Sequence, residues 1–480
     1  MKSPHQALDR LLHALRHAVG SEAVVAEPDR MAPYLKEQRG RFEPQAAAVV
    51  LPAQTAQVAA VVRACAGADA AIVPQAGNTG LCGGAAAQDA DRHILLSLER
   101  MTRIREIDRA NFTLTAEAGC VLADVQAAAA AQQRLFPLSY AAEDRCQIGG
   151  NLSTNAGGMN VLRYGNAREL VLGIEVVLSD GRIWNGLSSL RKDNSGYDLK
   201  DLFIGAEGTL GIITAAVLKL YPQPRHRASA IIGLLCVEDA VTLLGELRSA
   251  TGETLVACEI MGRVPVEFTL RHTPGCREPF GSTYPWYLLI EAASSRRTDH
   301  LADLLRGALQ QAKRERLACE WRVAELSTEA ATLWRIRKGI PAAQKHEGGS
   351  IKHDVSVPVS RIAELIHRAS AAALQRLPGI RPCAFGHIGD GNIHFNLSQP
   401  PGMNTDLFLA RWDELNRIVH DIVADMGGSF AAEHGVGRLK PGEIARYKSS
   451  VEIDLMSRLK TALDPSGMLN PGVMIPPHSA

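Results

Sequence analysis

The chain has 480 residues, of which 46% are hydrophobic, 21% charged and 5% aromatic, a composition that excludes disordered and fibrous proteins and predicts two or three globular domains. Lysine and arginine (52 residues) nearly balance aspartate and glutamate (51 residues), so the charge gives no indication of binding to nucleic acid or to an anionic membrane. No stretch is apolar for long enough to span a bilayer. We therefore expect small molecules and proteins as partners.

The nine cysteines are scattered along the chain without a CxxC pair, which indicates a reducing compartment. The first twenty residues place Leu8, Leu11, Leu12 and Leu15 at helical spacing, which predicts an amphipathic helix. A basic organellar presequence has a similar pattern. We expect a cytoplasmic protein, or one of the mitochondrial matrix if its source is a eukaryote.

The order of β-like and helical segments predicts an α+β protein with four parts. An N-terminal helical segment occupies residues 1–39, and residues 40–223 alternate β-like runs with Ala-rich helices. The segment PQPRHR marks a break, after which residues 224–425 form a second set of strands and helices, including a helix around Leu301 to Arg316. Residues 426–480 are expected to be largely helical before the Pro- and Gly-rich end of the chain.

A glycine-rich segment, QAGNTGLCGGA, follows the β-like run AAIVP. Gly77, Gly80, Gly83 and Gly84 allow successive backbone N–H groups to converge on an anion, so the segment is a candidate pyrophosphate cradle. It lacks both the GxGxxG spacing and the GxxxxGK[ST] motif, which disfavours NAD and P-loop nucleotides. By itself, a glycine-rich turn is an equally good explanation.

Two further segments, CQIGGNLSTNAGGMNVLRYGN and DLFIGAEGTLGIIT, are also rich in glycine and small polar residues. Such loops suit the close packing of backbone against a flat, hydrogen-bonding ligand. Three of them in one domain are difficult to explain as turns alone.

With SLRKDNSGYDLK and LDPSGMLNPG, these segments resemble the FAD-linked oxidases of the vanillyl-alcohol oxidase and p-cresol methylhydroxylase type, and most of all their D-2-hydroxyglutarate dehydrogenase branch. The resemblance runs from about Arg39 to Pro471 and implies a two-part FAD-binding domain with an α+β cap domain. It implies pyrophosphate contacts from Gly77, Asn78, Thr79, Gly80 and Leu81. It implies flavin and ribityl contacts from Gly149, Gly150, Ser153, Thr154, Gly157, Gly158 and Gly165. It places Gly208, Gly211 and Ile212 near the adenine, and adds Pro74, Glu207 and Asn470 to the cofactor residues, with Asn470 closing over the isoalloxazine.

Relatives that attach FAD covalently commonly use a histidine near the phosphate loop, sometimes with a cysteine. No histidine lies between Val19 and His93, so the resemblance implies non-covalent FAD, with attachment to Cys82 or Cys146 as the alternative.

The segment CAFGHIGDGNIHFNL has two β-like runs around an Asp-Gly pair, a strong signal for a two-residue hairpin turn. If Asp390 and Gly391 form that turn, His387 and His394 are directly opposed, with β-carbons roughly 5 Å apart. Two imidazoles at that spacing can bind one metal ion.

A third ligand is available in AAEHGVGRLK, where Glu433 adjoins His434. Two histidines and one carboxylate suit a catalytic Zn²⁺, and also Mn²⁺ or Co²⁺. For any one of these residues, a role in the core or on the surface is the simpler explanation. The resemblance, however, matches all three positions to a metal site. It also implies that His434 is the general base, which suits a histidine near neutral pH.

Substrate recognition is predicted from LWRIRKGIPAAQKHEGGSIKHDVSVPV. The resemblance implies that Arg337 and Lys352 bind the distal carboxylate of a dicarboxylate, for which the arginine fork is well shaped. Pro341 stands where relatives carry a hydroxyl residue, which leaves the exact acid open. Asn396, on the same strand face as His394, is a candidate hydrogen-bond donor to the substrate.

The predicted reaction is oxidation of a D-2-hydroxy acid, most of all D-2-hydroxyglutarate, with D-lactate or glycolate as the alternative. The electron acceptor is expected to be an electron-transferring flavoprotein, a quinone or a cytochrome, and the protein is expected to form a homodimer. A metal hydrolase without flavin and a flavin-binding structural or sensor subunit are the competing hypotheses.

Overall fold

The computed structural model describes residues 4–475. Contacts along the chain divide it into two compact units. Residues 1–157, 166–222 and 434–480 belong to unit 1, and residues 158–165 and 223–433 to unit 2. The sequence predicts four parts with boundaries at residues 39, 223 and 425, and that finer division stays a prediction.

Unit 1 contains two main sheets and a two-stranded ribbon. The first sheet has the order β1-β2-β4-β3, with β4 parallel to both β2 and β3. The second is antiparallel, with the order β5-β6-β10-β8-β9, and β11 pairs with β7 in the ribbon. The strands are β1 (Val24–Val25), β2 (Gln45–Val50), β3 (Ala71–Gln75), β4 (Gln88–Ser97), β5 (Ile104–Asp108), β6 (Thr113–Glu117), β7 (Arg134–Leu135), β8 (Val171–Val177), β9 (Ile183–Gly186), β10 (Ile212–Lys219) and β11 (Tyr221–Pro222).

The helices of unit 1 are mostly short and come from both ends of the chain. They are α1 (Pro4–Val19), α2 (Pro28–Met31), α3 (Thr55–Ala66), α4 (Leu122–Ala131), α5 (Ile148–Ser153), α7 (Lys200–Phe203), α15 (Pro441–Tyr447) and α16 (Ser450–Leu463). The predicted N-terminal amphipathic helix is confirmed as α1, which buries Leu11 and Leu15. After α16 the chain returns to the first sheet, where Leu469 bridges Ile72 of β3.

Unit 2 is built on one antiparallel sheet with the order β15-β12-β14-β13-β18-β19-β16, and β17 also pairs with β19. Its strands are β12 (His226–Leu234), β13 (Leu255–Gly262), β14 (Trp286–Ser294), β15 (Glu320–Val323), β16 (Ser350–Ile351), β17 (Asp354–Ser356), β18 (Arg381–His387) and β19 (Asn392–Ser398).

Helices cover this sheet and complete a second hydrophobic core. They are α6 (Val161–Tyr164), α8 (Val237–Thr251), α9 (Arg263–His272), α10 (Leu301–Arg314), α11 (Ser327–Ala343), α12 (Ile362–Arg376), α13 (Thr405–Leu409) and α14 (Trp412–Asp425). Helix α10, predicted around residues 301–316, buries Leu301, Leu305 and Leu309 at four-residue spacing, as expected of a helix with one apolar face.

The predicted α+β class is confirmed, because the helices pack beside mainly antiparallel sheets. Among residues 4–475, no helix combines the length and the apolar character needed to cross a bilayer.

Candidate active site

The hairpin of β18 and β19 carries both predicted metal-binding histidines, but its register differs from the prediction. His387 pairs with Asn392, and Phe385 pairs with His394. The prediction that His387 and His394 are directly opposed is therefore wrong. A two-residue type I′ turn requires positive φ at both central residues, and of the pair Asp390 and Gly391 only Gly391 has it, at +87°.

The longer loop moves the pairing by two residues, so both histidines remain on one face of the sheet. Their ring centroids lie 5.6 Å apart. From the last segment of unit 2, Glu433 places Oε1 3.5 Å from Nε2 of His394 and Oε2 3.9 Å from Nε2 of His387. The three predicted ligands are thus brought together.

Asp354, in β17 directly opposite His394, is the fourth residue of this cluster and its second carboxylate. Its Oδ1 lies 3.7 Å from Nδ1 of His394, and its Oδ2 accepts a hydrogen bond from the backbone N–H of Glu433 at 2.9 Å. Asp354, His394 and Glu433 each offer one ligand atom within 4.8 Å of the others, in a group that does not include His387. Asp354 therefore fixes the backbone of Glu433 beside the histidines.

A buried carboxylate, Glu259 of β13, lies behind His387 and is paired with it across the sheet. Its Oε1 is 2.5 Å from Nδ1 of His387, and its Oε2 accepts a hydrogen bond from Nε of Arg337 at 2.7 Å. The guanidinium of Arg337 also stacks over Phe385, 4.9 Å from the ring centroid. Arg337 is thus fixed by an ion pair and an aromatic ring, next to the predicted metal ligands.

Neighbouring charges shift the pKa values of both His387 and Glu259. Burial lowers the pKa of His387, but the Glu259 carboxylate outweighs it and raises that pKa to about 9. Burial raises the pKa of Glu259, whereas Arg337 and His387 together lower it to about 2. A metal ion at Nε2 of His387 therefore has to displace a proton, and its affinity should rise with pH.

The donor set fits a divalent metal ion. Bonds of 2.0–2.2 Å in a tetrahedral Zn²⁺ site place ligand atoms roughly 3.4 Å apart, close to the separations between Glu433 and the two histidines. Because Nδ1 of His387 faces a carboxylate, Nε2 is left for the metal. Two imidazoles and one carboxylate also suit Mn²⁺ and Co²⁺.

The remaining predicted substrate residues lie in the same unit. Lys352, half-buried, stands between β16 and β17, two residues before Asp354. Asn396 is buried in β19, where its Nδ2 donates to Gln344 and its Oδ1 accepts from the backbone of His353. One amide hydrogen of Asn396 has no role in those bonds.

In unit 1, the three glycine-rich loops pack against one another. A β-carbon on Gly77 would lie 2.2 Å from the carbonyl oxygen of Arg145, and one on Gly208 would lie 2.5 Å from Pro74. A β-carbon on Gly149 would lie 2.8 Å from that of Ala118. These glycines are required because a side chain at any of the three positions would collide with its neighbour.

The other predicted cofactor residues occupy less uniform positions. Asn78 has a positive φ of 49°, and its Nδ2 donates to the carbonyl of Lys36. The hydroxyls of Ser153 and Thr154 donate back to carbonyls of their own helix, α5. Gly158 and Gly165 bound the short segment counted with unit 2. The rest lie in three places: Thr79, Gly80 and Leu81 follow β3, Gly150 lies in α5 with Gly157 shortly after it, and Gly211 and Ile212 stand at the start of β10.

Glu207 connects the third glycine loop to the segment that follows His434. Its oxygens accept hydrogen bonds from the backbone N–H groups of Val436 and Gly437, at 2.7 and 2.8 Å. Asn470 donates to the carbonyls of Gly84 and Glu207. Burial raises the pKa of Glu207. The residues just after His434 are therefore held against the predicted flavin loops.

These loops fit a polar cofactor. Within the described residues, Oε1 of Gln147, Nδ2 of Asn151 and Oδ1 of Asn470 are buried without a hydrogen-bond partner. Unpaired buried polar atoms are costly and rare in folded proteins. Three of them beside the glycine loops are suited to groups of a bound flavin.

Glu259 and Asp354 were not predicted from the sequence. Both partners of Glu259 are distant in the chain, since His387 follows 128 positions later. A signal was present, however, because Glu259 interrupts the apolar run LVACEIMG, and charged residues are rarely buried unless they are paired.

Comparison with protein families gives two matches. The family described as FAD linked oxidases, C-terminal domain, matches residues 223–474. The family described as FAD binding domain matches residues 46–186.

Among curated relatives, a probable mitochondrial D-2-hydroxyglutarate dehydrogenase of Oryza sativa subsp. indica is 35% identical over 95% of this chain and 80% of its own. A D-2-hydroxyglutarate dehydrogenase of Xanthomonas citri pv. viticola is 34% identical over 98% of both chains. Among solved structures, p-cresol methylhydroxylase matches with a TM-score of 0.77 and 19% identity, over 98% of this chain and 97% of the other. That likeness confirms the predicted fold of the vanillyl-alcohol oxidase type.

Proposed function

This chain belongs to the FAD-linked oxidase family, and on that premise we propose that it oxidises D-2-hydroxyglutarate to 2-oxoglutarate. The observation that carries the proposal is the cluster of His387, His394 and Glu433 with a fixed arginine beside it. The relatives from Oryza and Xanthomonas bear the name of the same activity. A hydrolase without flavin and a structural flavin subunit fit less well, because flavin loops, metal donors and carboxylate-binding cations occur together.

Each group has one part in the proposed reaction. The glycine-rich loops would hold FAD, which would supply the hydride acceptor for carbon 2 of the substrate. His387, His394 and Glu433 would hold a metal ion, which would supply a Lewis acid for the substrate hydroxyl. His434 accepts the hydroxyl proton, and Asn396 orients the substrate through its remaining amide hydrogen. We propose Zn²⁺ as the ion, with Mn²⁺ or Co²⁺ as alternatives.

FAD is proposed to be held without a covalent bond, since no histidine lies between Val19 and His93. Cys82 lies by the phosphate loop, and its thiol donates to the carbonyl of Gly435. Burial raises the pKa of the Cys146 thiol, which disfavours the nucleophilic thiolate. Acid precipitation of the purified protein should leave all yellow colour in the supernatant, and colour retained in the pellet would contradict non-covalent binding.

The proposed substrate is a dicarboxylate because two cations, Arg337 and Lys352, stand in unit 2 at the positions predicted to bind a distal carboxylate. With Nε of Arg337 on Glu259, its two terminal nitrogens remain for a paired contact. D-Lactate and glycolate lack the distal carboxylate and are the alternative substrates.

Anaerobic mixing with D-2-hydroxyglutarate should bleach the flavin absorbance faster than mixing with D-lactate or glycolate. Lys352→Met should reduce the specificity constant for D-2-hydroxyglutarate and scarcely change that for D-lactate, which has no second carboxylate. A charge-assisted contact contributes roughly 1.5 to 3 kcal/mol, or about 10- to 150-fold.

Lys338→Met is the matched control, because Lys338 is an exposed lysine on α11. It should behave as the wild-type protein on every acid. Equal losses on both acids in Lys352→Met, or a wild-type preference for D-lactate, would reject the dicarboxylate assignment and leave the flavin assignment intact.

The reduced flavin must pass its electrons to an acceptor, for which we propose an electron-transferring flavoprotein or a quinone. We propose a cytoplasmic location, or the mitochondrial matrix if the source is a eukaryote.

We further propose a homodimer, supported by the outer face of α16. This helix buries none of its residues, and Val451, Leu455 and Leu459 are 65%, 55% and 40% exposed at four-residue spacing. In an antiparallel pair with its two-fold axis at Leu455, Val451 and Leu459 of the two copies would flank the two Leu455 side chains. The apolar stripe can therefore pair with its own copy, as a two-fold interface requires.

Sedimentation velocity should then give about twice the chain mass of 51.6 kDa, and Leu455→Asp should give a single chain, because a carboxylate at the axis faces its own copy. Leu407→Asp, at a leucine on α13 that is 66% exposed, should remain dimeric. A wild-type protein that sediments as one chain would contradict the dimer.

A further inference from the structure

Glu259 is a charged residue with no access to solvent. Its exposed fraction is 0%, and it lies in the middle of β13, a strand whose residues are all buried. A carboxylate in such a position is strongly destabilising unless it is paired and hydrogen-bonded. Both of its oxygens must therefore have hydrogen-bonding or charged partners.

Both partners are residues of the proposed active site. Oε1 lies 2.5 Å from Nδ1 of His387, and Oε2 accepts from Nε of Arg337 at 2.7 Å. An ionised carboxylate has only acceptors, so Nδ1 of His387 carries the proton and points away from Glu433. The contact thereby selects the ring nitrogen, Nε2, that faces the other metal ligands.

The second contact orients Arg337. Helix α11 carries Arg337 one turn before Pro341, which has no N–H to bond the carbonyl of Arg337. The helix is thus weakened at this turn, and the side chain is fixed instead by Glu259 on one edge and by the Phe385 ring below. These two contacts fix the orientation of the guanidinium plane, and its two terminal nitrogens do not bond Glu259.

We propose that Glu259 is the positioning residue for both halves of the site, since one carboxylate orients a metal ligand and the arginine that binds the substrate's distal carboxylate. This inference rests on the proposed function. A shift of Glu259 toward either partner changes its contact with the other, so metal affinity and dicarboxylate affinity are linked through it.

Glu259→Gln tests the linkage, because an uncharged amide has one acceptor oxygen for two donors and should weaken the contacts with both His387 and Arg337. Zn²⁺ affinity, measured without substrate by competition with a coloured chelator, should fall 10- to 100-fold, the usual effect of removing the carboxylate behind a ligating histidine. At saturating Zn²⁺, kcat should recover, whereas KM for D-2-hydroxyglutarate should stay raised and KM for D-lactate should change little.

Two single-partner variants separate the contacts. His387→Ala should chiefly lower Zn²⁺ affinity with a smaller change in KM, and Arg337→Lys should chiefly raise KM with a smaller change in Zn²⁺ affinity. Glu117→Gln is the control for neutralising a buried, paired carboxylate. Glu117 is also fully buried and has two arginine partners, Arg103 and Arg105, but it lies in unit 1. It should keep wild-type Zn²⁺ affinity and KM.

A folded Glu259→Gln variant with unchanged Zn²⁺ affinity and unchanged KM would overturn the proposal. If that variant fails to fold, Glu259→Asp replaces it; this side chain keeps the charge but is one methylene shorter, and it should show both losses in weaker form. A wild-type protein that oxidises no 2-hydroxy acid would reject the proposed function, whereas the Zn²⁺ comparison would still decide whether Glu259 positions His387.

Discussion

Removing the metal ion should abolish turnover and leave FAD bound. A divalent ion supplies several kcal/mol of charge stabilisation in the transition state, so activity should fall by at least about 100-fold. Dialysis against dipicolinate, followed by assays with and without added Zn²⁺, measures the effect. His387, His394 and Glu433 are three donors, and a site with three protein ligands keeps an open coordination position. Added Zn²⁺ should therefore enter the site and restore activity.

His387→Ala should reproduce the loss without chelator and should not be rescued by micromolar Zn²⁺. His300→Ala is the control, because its side chain is 86% exposed and it has no part in the site. The flavin spectrum should be the same in the wild-type protein, His387→Ala and His300→Ala. Full activity after complete removal of metal would show that the cluster has another function.

The metal cluster illustrates what a sequence can predict. The Asp-Gly pair located a hairpin, and period-two alternation put His387 and His394 on one face. That conclusion survived an error in register, since a shift of two residues preserves the face. A shift of one residue would have separated them. The turn type was not predictable, because it depends on the packing of Gly391 against the backbone of Val357.

The contacts that orient the site were beyond sequence reasoning for a different reason. Asp354 is held opposite His394 by strand pairing across 40 positions, and Glu259 opposite His387 across 128. Strand order in an antiparallel sheet with long connections is not determined by local pattern. Local sequence patterns therefore predicted that His387 and His394 share a face, whereas the carboxylates behind them emerged only from the sheet topology.

His434→Ala should slow flavin reduction by saturating D-2-hydroxyglutarate about 100-fold or more, the usual contribution of a positioned general base. The residues after His434 are fixed by Glu207 through Val436 and Gly437, so its backbone is held in place before substrate binds. Stopped-flow absorbance under anaerobic conditions measures the reduction step separately from reoxidation.

A lost base and a disturbed fold are distinguished by chemical rescue. Free imidazole can accept the proton in place of the missing side chain, so it should raise the reduction rate of His434→Ala and leave His300→Ala unchanged. FAD content and Zn²⁺ content should equal those of the wild-type protein, because Glu433 and the two ligand histidines are untouched. If Zn²⁺ is lost together with activity, His434 is a metal ligand and not the base. If the reduction rate is unchanged, the proton leaves by another route.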